Sequence, residues 1–199
     1  MDTEGLREYK KLATRESICE AAMRLALERG LDGVRVHDIA TEAGVSPRTY
    51  NNYFSSKEQA ICALAGDRAL RLGEAFRARP AGEPLADAIV NAMLEERLVG
   101  RNKEMVRLIQ GTPALRGEFF KVIVARDAAF AGAIADRIGA APGDLFPELL
   151  AATCSSAARV VTQKWLAADD DADYASMLRE ALRLIAPMAQ SYEQANIRS

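Results

Sequence analysis

The sequence predicts an all-α protein, and three observations lead to this prediction. Apolar residues recur at helical spacing through almost every segment of the chain. No segment shows the alternation and the β-branched enrichment that are typical of strands. Glycine, proline, serine and aspartate stand at intervals where helices would start and stop. With 49% hydrophobic and 27% charged residues, the composition is that of an ordinary globular protein.

The expected helices are short near the N-terminus and longer beyond it. Their approximate limits are residues 15–28, 36–43, 47–54, 57–77, 84–99, 103–111, 113–138, 145–168 and 174–194. We expect Thr14 to cap the first helix and Gly30 to end it. Either Ser55 or Ser56 can cap the fourth helix through a capping box. The acidic run 169–171 is expected to form a turn and a cap before the last helix.

Several classes of chemistry are not supported by any motif in the sequence. Cys19, Cys62 and Cys154 lie far apart without a CxxC pair, so we expect buried small side chains rather than disulfides or a metal site. His37 is the one histidine, and no nucleophile motif surrounds it. GxGxxG, P-loop, HExxH and GxSxG motifs are all missing. We therefore predict no enzymatic activity, no cofactor and no metal.

Hydropathy and charge set the expected location and partners. No apolar run approaches the roughly eighteen residues that a membrane helix needs, and the start of the chain has no apolar signal-peptide core. We expect a cytoplasmic protein without a membrane partner. The net charge of -2 speaks only weakly against nucleic-acid binding, because local charge decides such binding. The segment 44–57 contains Arg48 and Lys57 and no acidic residue.

The segment 36–54 is predicted to be two short helices joined by a tight turn. Gly44 stands where the first helix must stop, and glycine tolerates the left-handed conformation that such a stop uses. Ser46 is a favoured N-cap residue, and Pro47 follows it at the first helical position. The pattern predicts a helix-turn-helix.

The second of these helices has a polar face without acids. Arg48, Asn51 and Asn52 are expected to face outward with Thr49, whereas Tyr50 turns inward with Phe54. Arginine can bind guanine and asparagine can bind adenine through paired hydrogen bonds. The alternative is a helical hairpin that is merely polar on one side. In that case we would expect exposed Glu and Lys rather than the poor helix formers Asn and Thr.

Residues 14–60 resemble the DNA-binding domain of the TetR family of bacterial regulators. The matching residues are Ile39-Ala40, Ala43-Gly44-Val45-Ser46, Thr49, Tyr53-Phe54 and Lys57. The resemblance implies a three-helix DNA-binding domain over residues 1–58, followed by a helical-bundle domain over 59–199 that binds an effector and dimerises. It also implies a ligand-responsive transcription regulator, most simply a repressor, that binds double-stranded DNA at a palindromic operator as a homodimer.

The predicted DNA contacts combine the exposed face with the resemblance. They are Arg35, Ser46, Pro47, Arg48, Thr49, Asn51, Asn52, Tyr53 and Lys57. Tyr53 and Lys57 are expected to meet phosphates. Arg35 stands where the family usually has a threonine that caps the second helix, so that cap is open to question and Arg35 could reach a phosphate instead. Asn51 replaces a more usual aromatic residue.

An effector pocket is expected among the middle helices. The candidates are Met93, Arg97, Met105, Leu108, Phe119, Ile123, Arg126 and Phe130, with Ile109 and Phe120 beside them. Apolar residues at helical spacing are usually plain core, and the sequence favours solvated surface for each of the two arginines. An arginine beside apolar residues could hold an anionic head group. The segment 102–120 resembles family members associated with acyl-CoA-like ligands, which implies a small hydrophobic or acyl-type effector.

Dimerisation is expected through the last two helices. The candidate interface residues are Leu145, Leu149, Ala152, Ala157, Ala158, Met177, Leu178, Leu182, Ile185 and Met188. Trp165 could anchor an interface or cap a domain. Two other function classes remain open at this stage, namely a helical carrier or enzyme for a hydrophobic ligand and a helical protein-interaction module.

Overall fold

The computed structural model describes residues 3–98, 102–169 and 172–197. These residues form helices without any strand, which confirms the all-α prediction. The helices are α1 (Thr3–Arg29), α2 (Val36–Glu42), α3 (Pro47–Asn51), α4 (Lys57–Arg77), α5 (Leu85–Leu98), α6 (Lys103–Gly111), α7 (Pro113–Ile138), α8 (Leu145–Ala167) and α9 (Tyr174–Ile197). None of the helices in these described ranges combines the length and apolarity that a membrane crossing would require.

The first helix begins twelve residues earlier than the expected start at residue 15, so the predicted cap at Thr14 is wrong. The Thr14 hydroxyl instead donates a hydrogen bond to the Lys10 carbonyl, 2.8 Å away, one turn back in the helix. The segment before Thr14 is rich in Leu, Arg, Glu and Lys and holds no proline, so nothing interrupts the helix. The predicted end is confirmed, because Gly30 has a φ of 67° directly after Arg29.

Hydrogen bonds identify the capping residues of α4 and α9. Ser56 caps α4, since its hydroxyl accepts from the Gln59 backbone N–H at 3.1 Å. Before α9 the capping residue is Asp173, whose carboxylate accepts from the backbone N–H groups of Ala175 and Ser176. The Ser176 hydroxyl also donates to this carboxylate and lowers the pKa of Asp173. The cap expected in the run 169–171 is therefore wrong, and Asp170 and Asp171 lie outside the described residues.

Packing divides the chain into two units, with boundaries inside α4, between α5 and α6, and inside α7. One unit comprises residues 1–67 and 102–121, and the other comprises 68–101 and 122–199. The predicted boundary after residue 58, between a DNA-binding domain and a helical-bundle domain, is a division by function, so it stays a prediction.

The first unit has one apolar core formed by α1 to α4 together with α6 and the start of α7. Ile18, Ile39 and Ile61 are fully buried in it. Ile109 of α6 and Leu115 of α7 join the same core, and α6 packs against α1. The helix-turn-helix is therefore supported by residues far along the chain as well as by its neighbours.

The second unit is held together mainly by packing of α9 against α5 and α8. Phe76 and Phe130 meet edge to face with ring centroids 5.4 Å apart. The Arg137 guanidinium lies over the Phe76 ring and donates to the carbonyls of Pro80 and Glu83 at 2.7 and 2.6 Å. These contacts fix the connector between α4 and α5, where the backbone carbonyls have no helical partner.

The three cysteines and the tryptophan are structural. Cys19, Cys62 and Cys154 are buried and form no disulfide bonds, as predicted. Burial raises the pKa of the Cys62 thiol to about 12, with the carboxylates of Glu118 and Glu58 adding to the effect, so this thiol is protonated and unreactive at neutral pH. Trp165 donates its indole N–H to the Ala172 carbonyl at 3.0 Å and thereby secures the loop between α8 and α9.

Candidate nucleic-acid interface

The corner between α2 and α3 is built by Gly44. Gly44 has a φ of 68°, in the left-handed region that glycine adopts without strain. Its N–H donates to the Thr41 carbonyl at 3.1 Å, and the Val45 N–H donates to the Ala40 carbonyl at 2.9 Å. This pair of bonds is a Schellman motif, which ends a helix while satisfying its last carbonyls. The predicted helix stop at Gly44 is confirmed.

The start of α3 is fixed by Ser46 and Pro47. The Ser46 hydroxyl accepts from the Thr49 backbone N–H at 3.0 Å, and it lies 2.9 Å from the Thr49 hydroxyl. Pro47 occupies the first helical position, where its missing N–H leaves no bond unmade. Both sequence predictions are confirmed. The helix ends at Asn51, three residues earlier than expected. In the turn that follows, the Phe54 N–H donates a hydrogen bond to the Tyr50 carbonyl at 3.0 Å.

The inner side of α3 is anchored by two aromatic residues. Tyr50 is fully buried, and its hydroxyl donates to the Ser56 carbonyl at 2.8 Å. Burial raises the pKa of this hydroxyl, with a smaller contribution from Glu58. The ring centroids of Phe54 and Tyr50 are 5.9 Å apart. The Cζ atom of Arg15 lies over the Phe54 ring, 5.3 Å from its centroid. These contacts hold α3 in one orientation, as the predicted inward placement of Tyr50 and Phe54 requires.

The outer side of α3 presents polar side chains to solvent. Ser46, Pro47, Arg48, Asn51 and Asn52 are exposed. Thr49 and Tyr53 are half-buried, and Tyr53 packs against the apolar core. The structure thus places Ser46, Pro47, Arg48, Thr49 and Asn51 at the start of α3 or along it, and Asn52 and Tyr53 in the turn that follows it.

Arg35 does not cap α2 with its side chain. A guanidinium has no acceptor atom, and the one side-chain bond at this helix start runs from the Arg35 backbone N–H to the Asp38 carboxylate at 3.2 Å. Asp38 therefore supplies the reciprocal half of a capping box. The Arg35 side chain is exposed at the start of α2 and available to a phosphate.

The Lys57 side chain makes hydrogen bonds inside the protein that the sequence did not indicate. Its ammonium donates to the carbonyls of Leu31 at 2.7 Å and Val34 at 2.9 Å. These two bonds fix the loop between α1 and α2 and leave one of the three ammonium donors. Because the acceptors are more than twenty residues away, no local sequence signal could have revealed them.

A cleft beside α3 contains side chains that sequence analysis missed. Thr49 of α3 lines it together with Asn52 and Tyr53 of the turn that follows α3, and residues from the early turns of α1 complete the lining. The α1 residues are Arg7, Glu8, Lys10, Lys11 and Thr14. The sequence analysis predicted that the first helix begins at residue 15, so these earlier residues were not among the predicted DNA contacts. The run of helix formers from residue 6 to residue 12 was the signal that could have found them.

The candidate effector residues are divided between the two units. Met105, Leu108 and Phe119 pack against the apolar core of the first unit, where Ile109 is buried. In the second unit, Met93 and Phe130 are fully buried and Ile123 is half-buried. Phe120 is 62% exposed. The side chain of Arg97 lies outside the described part of the chain.

Arg126 is a buried charge and not solvated surface. Its side chain is 5% exposed, and it donates to one carboxylate oxygen of Asp127 through Nε at 3.1 Å and Nη2 at 2.9 Å. Nη2 also donates to the Ser155 hydroxyl, which in turn donates to Asp127. This arrangement compensates a buried guanidinium, which would otherwise be strongly unfavourable. Elsewhere in the described ranges, no three His, Cys, Asp or Glu side chains are grouped as a metal site would need.

Comparison with known proteins identifies the two parts of the chain. Residues 18–61 match the family model of bacterial regulatory proteins of the tetR family, and residues 83–190 match the model of the MftR C-terminal domain, a TetR C-terminal model. The HTH-type transcriptional regulator TcmR of Streptomyces glaucescens is 32% identical over 197 residues, which cover 89% of this chain and 84% of TcmR.

Solved structures agree in fold. A TetR transcriptional regulator from Rhodococcus sp. RHA1 has a TM-score of 0.54 at 24% identity, with 88% of this chain and 96% of that chain covered. The regulator FadR from Bacillus subtilis, solved in complex with stearoyl-CoA, has a TM-score of 0.60 at 18% identity, with 86% and 97% covered. With the matched helix-turn-helix in place, the chain belongs to the TetR family of DNA-binding transcriptional regulators.

Proposed function

We propose that this protein is a cytoplasmic, ligand-responsive repressor that binds a palindromic operator as a homodimer. The supporting observation is that α3 is held in a fixed orientation and exposes polar side chains. Its inner face is anchored by Tyr50 and its start is capped by Ser46. Its exposed face carries Arg48 and Asn51, and the exposed Asn52 follows at its C-cap. A helix of this width enters the major groove, where arginine and asparagine can distinguish base pairs.

Dimerisation is proposed through α8 and α9, which carry an exposed apolar surface. Leu145, Leu149 and Leu184 are 63%, 48% and 81% exposed, and Val160 and Met188 add to them. Large apolar side chains exposed in such numbers mark interaction surfaces. Among the interface residues expected from the sequence, Ala158, Leu178 and Leu182 are buried within the second unit and cannot supply this surface.

The effector is proposed to be a small hydrophobic or acyl-type molecule. Support comes from the stearoyl-CoA complex of the structurally similar FadR and from the apolar candidates Met93, Ile123 and Phe130. An anionic head group would have to compete with Asp127 and Ser155 for Arg126. An effector shifts DNA binding only by the difference between its affinities for the two states of the regulator.

Binding of duplex DNA by purified protein tests the role of α3. We expect wild-type protein to bind its preferred duplex at least a hundredfold more tightly than a scrambled duplex, because specific binding typically exceeds non-specific binding by about 10³ or more. Arg48→Ala should reduce this ratio by about tenfold, since one good base contact contributes about 1–3 kcal/mol. Equal affinity of the wild type for both duplexes would show that the protein is not a sequence-specific regulator.

A further inference from the structure

The N-terminal part of α1 contributes a cluster of positive side chains to the cleft beside α3. Arg7, Lys10 and Lys11 line this cleft together with Thr49, Asn52 and Tyr53. Residues at i, i+3 and i+4 share one face of a helix, so the three cations point to the same side of α1. The cleft encloses about 860 Å³ and is open to solvent.

Charge in this cleft is predominantly positive. Among the described residues of the lining, Glu8 is the single acidic one, and it lies 3.8 Å from the Lys11 ammonium. Both side chains are more than 60% exposed, so their ion pair is weak and easily exchanged for another anion. No acidic residue is contributed from α3, because the segment 44–57 has none.

We propose that Arg7, Lys10 and Lys11 form a second DNA-contacting element, which binds the sugar–phosphate backbone beside the groove that receives α3. The inference rests on the proposed DNA-binding function. Three arguments support it. Both walls of the cleft belong to the same packing unit, three predicted DNA contacts line one wall, and three cations line the other. Phosphate contacts fix the register of a protein on DNA without selecting the sequence.

The contacts of this element are ionic, so their signature is the dependence of affinity on salt. Each phosphate neutralised by a lysine or arginine contributes about 0.9 to the slope of log affinity against log salt concentration. Replacing all three cations should therefore lower the magnitude of the slope by about 2.7. Between 50 and 200 mM salt, wild-type affinity should then fall about 40-fold more than that of the variant.

The experiment compares three full-length proteins on one preferred duplex and one scrambled duplex. The test variant is Arg7→Gln, Lys10→Gln and Lys11→Gln, in which glutamine keeps helix propensity while removing charge. The charge-matched control is Arg71→Gln, Lys164→Gln and Arg179→Gln, at exposed positions of α4, α8 and α9. Circular dichroism and sedimentation verify that all three proteins keep the same helicity and oligomeric state.

We expect the test variant to show a smaller salt dependence of affinity than the wild type, by the same amount on both duplexes, and to keep its sequence preference. The control variant should keep the salt dependence of the wild type. A wild-type slope in the test variant would overturn the inference, and so would an equal loss in the control, because long-range charge alone would then explain it. A charge-retaining variant, Arg7→Lys with Lys10→Arg and Lys11→Arg, should keep the slope even if the glutamine variant is less stable. If the wild type shows no sequence preference, the proposed function itself fails, which is a distinct result.

Discussion

The side chain of Ser46 has an observed role as a helix cap and a proposed role as a DNA contact, and substitutions can separate the two. It caps α3 by accepting from the Thr49 N–H, and it is exposed at the helix start, where a phosphate is expected. We predict that Ser46→Ala lowers the free energy of unfolding by about 1 kcal/mol, as lost caps typically do. Ser46→Asp should keep the cap and the stability, yet weaken DNA binding because a carboxylate repels phosphate. Urea unfolding and duplex titration measure the two effects. Wild-type affinity of Ser46→Asp would remove Ser46 from the DNA contacts.

Lys57 is a proposed DNA contact that also has an observed structural role inside the protein. Because its ammonium bonds to the carbonyls of Leu31 and Val34, Lys57→Ala should lower the free energy of unfolding by about 2 kcal/mol, in the range for hydrogen bonds to charged groups. Lys121, whose exposed ammonium pairs with Glu118, provides the control, and Lys121→Ala should change stability by less than about 1 kcal/mol. Urea unfolding of both variants is the measurement. An unchanged stability of Lys57→Ala would mean that its carbonyl contacts are of no consequence.

At the scale of helices, the parts that sequence analysis predicted correctly are governed by local chemistry. Gly44, Ser46 and Pro47 determine the end of α2 and the start of α3 through bonds that reach no further than five residues. The start of α1 was missed because threonine serves equally well as a cap and as an exposed helical residue that bonds back to a carbonyl. Thr14 adopts the second role.

Other features that the sequence did not reveal depend on contacts between distant segments. Met105, Leu108 and Phe119 have the helical spacing of pocket residues and of core residues alike, and the structure places them on the core of the first unit. Arg126 looks like a surface arginine in the sequence, and only the fold brings Ser155 beside it and Asp127. No periodicity within one helix carries such information.

The connector between α4 and α5 carries a prediction about acid stability. Arg79 donates to both carboxylate oxygens of Glu83 at 2.8 Å, and together with Asn91 it lowers the pKa of Glu83 to about 2. A folded-state pKa below the unfolded value near 4.5 contributes stability above pH 4.5. This contribution is lost as the pH falls towards 2. Glu83→Gln should therefore be less stable than wild type at pH 6, and the difference should shrink at pH 3.

Urea unfolding at the two pH values measures this difference. Glu95→Gln is the matched control, since Glu95 is 67% exposed and lies 4.0 Å from the Arg79 guanidinium. This control should show the pH dependence of the wild type. If the free energy of unfolding of Glu83→Gln also changed between pH 6 and pH 3 as that of the wild type does, the assigned role of the Arg79–Glu83 pair would be refuted.

At the scale of the whole molecule, the proposed dimer depends on the apolar surface of α8 and α9. Leu184 is 81% exposed there, so Leu184→Glu should raise the dimer dissociation constant at least tenfold without loss of helicity. Val124→Glu is the control, since Val124 of α7 is 53% exposed and lies outside α8 and α9. Analytical ultracentrifugation gives both constants. A Leu184→Glu protein that dimerises like the wild type would place the interface elsewhere.

The central claim is that α3 of each protomer enters a major groove and that two protomers do so together. Selection of bound duplexes from a random library, read by sequencing, tests it most directly. We predict enrichment of an inverted repeat whose half-sites lie about one helical turn, or a multiple of it, apart. Selection with Asn52→Ala should lose information at defined positions of each half-site. Recovery of no common sequence, or of one that Asn52→Ala and Arg48→Ala select unchanged, would contradict the account.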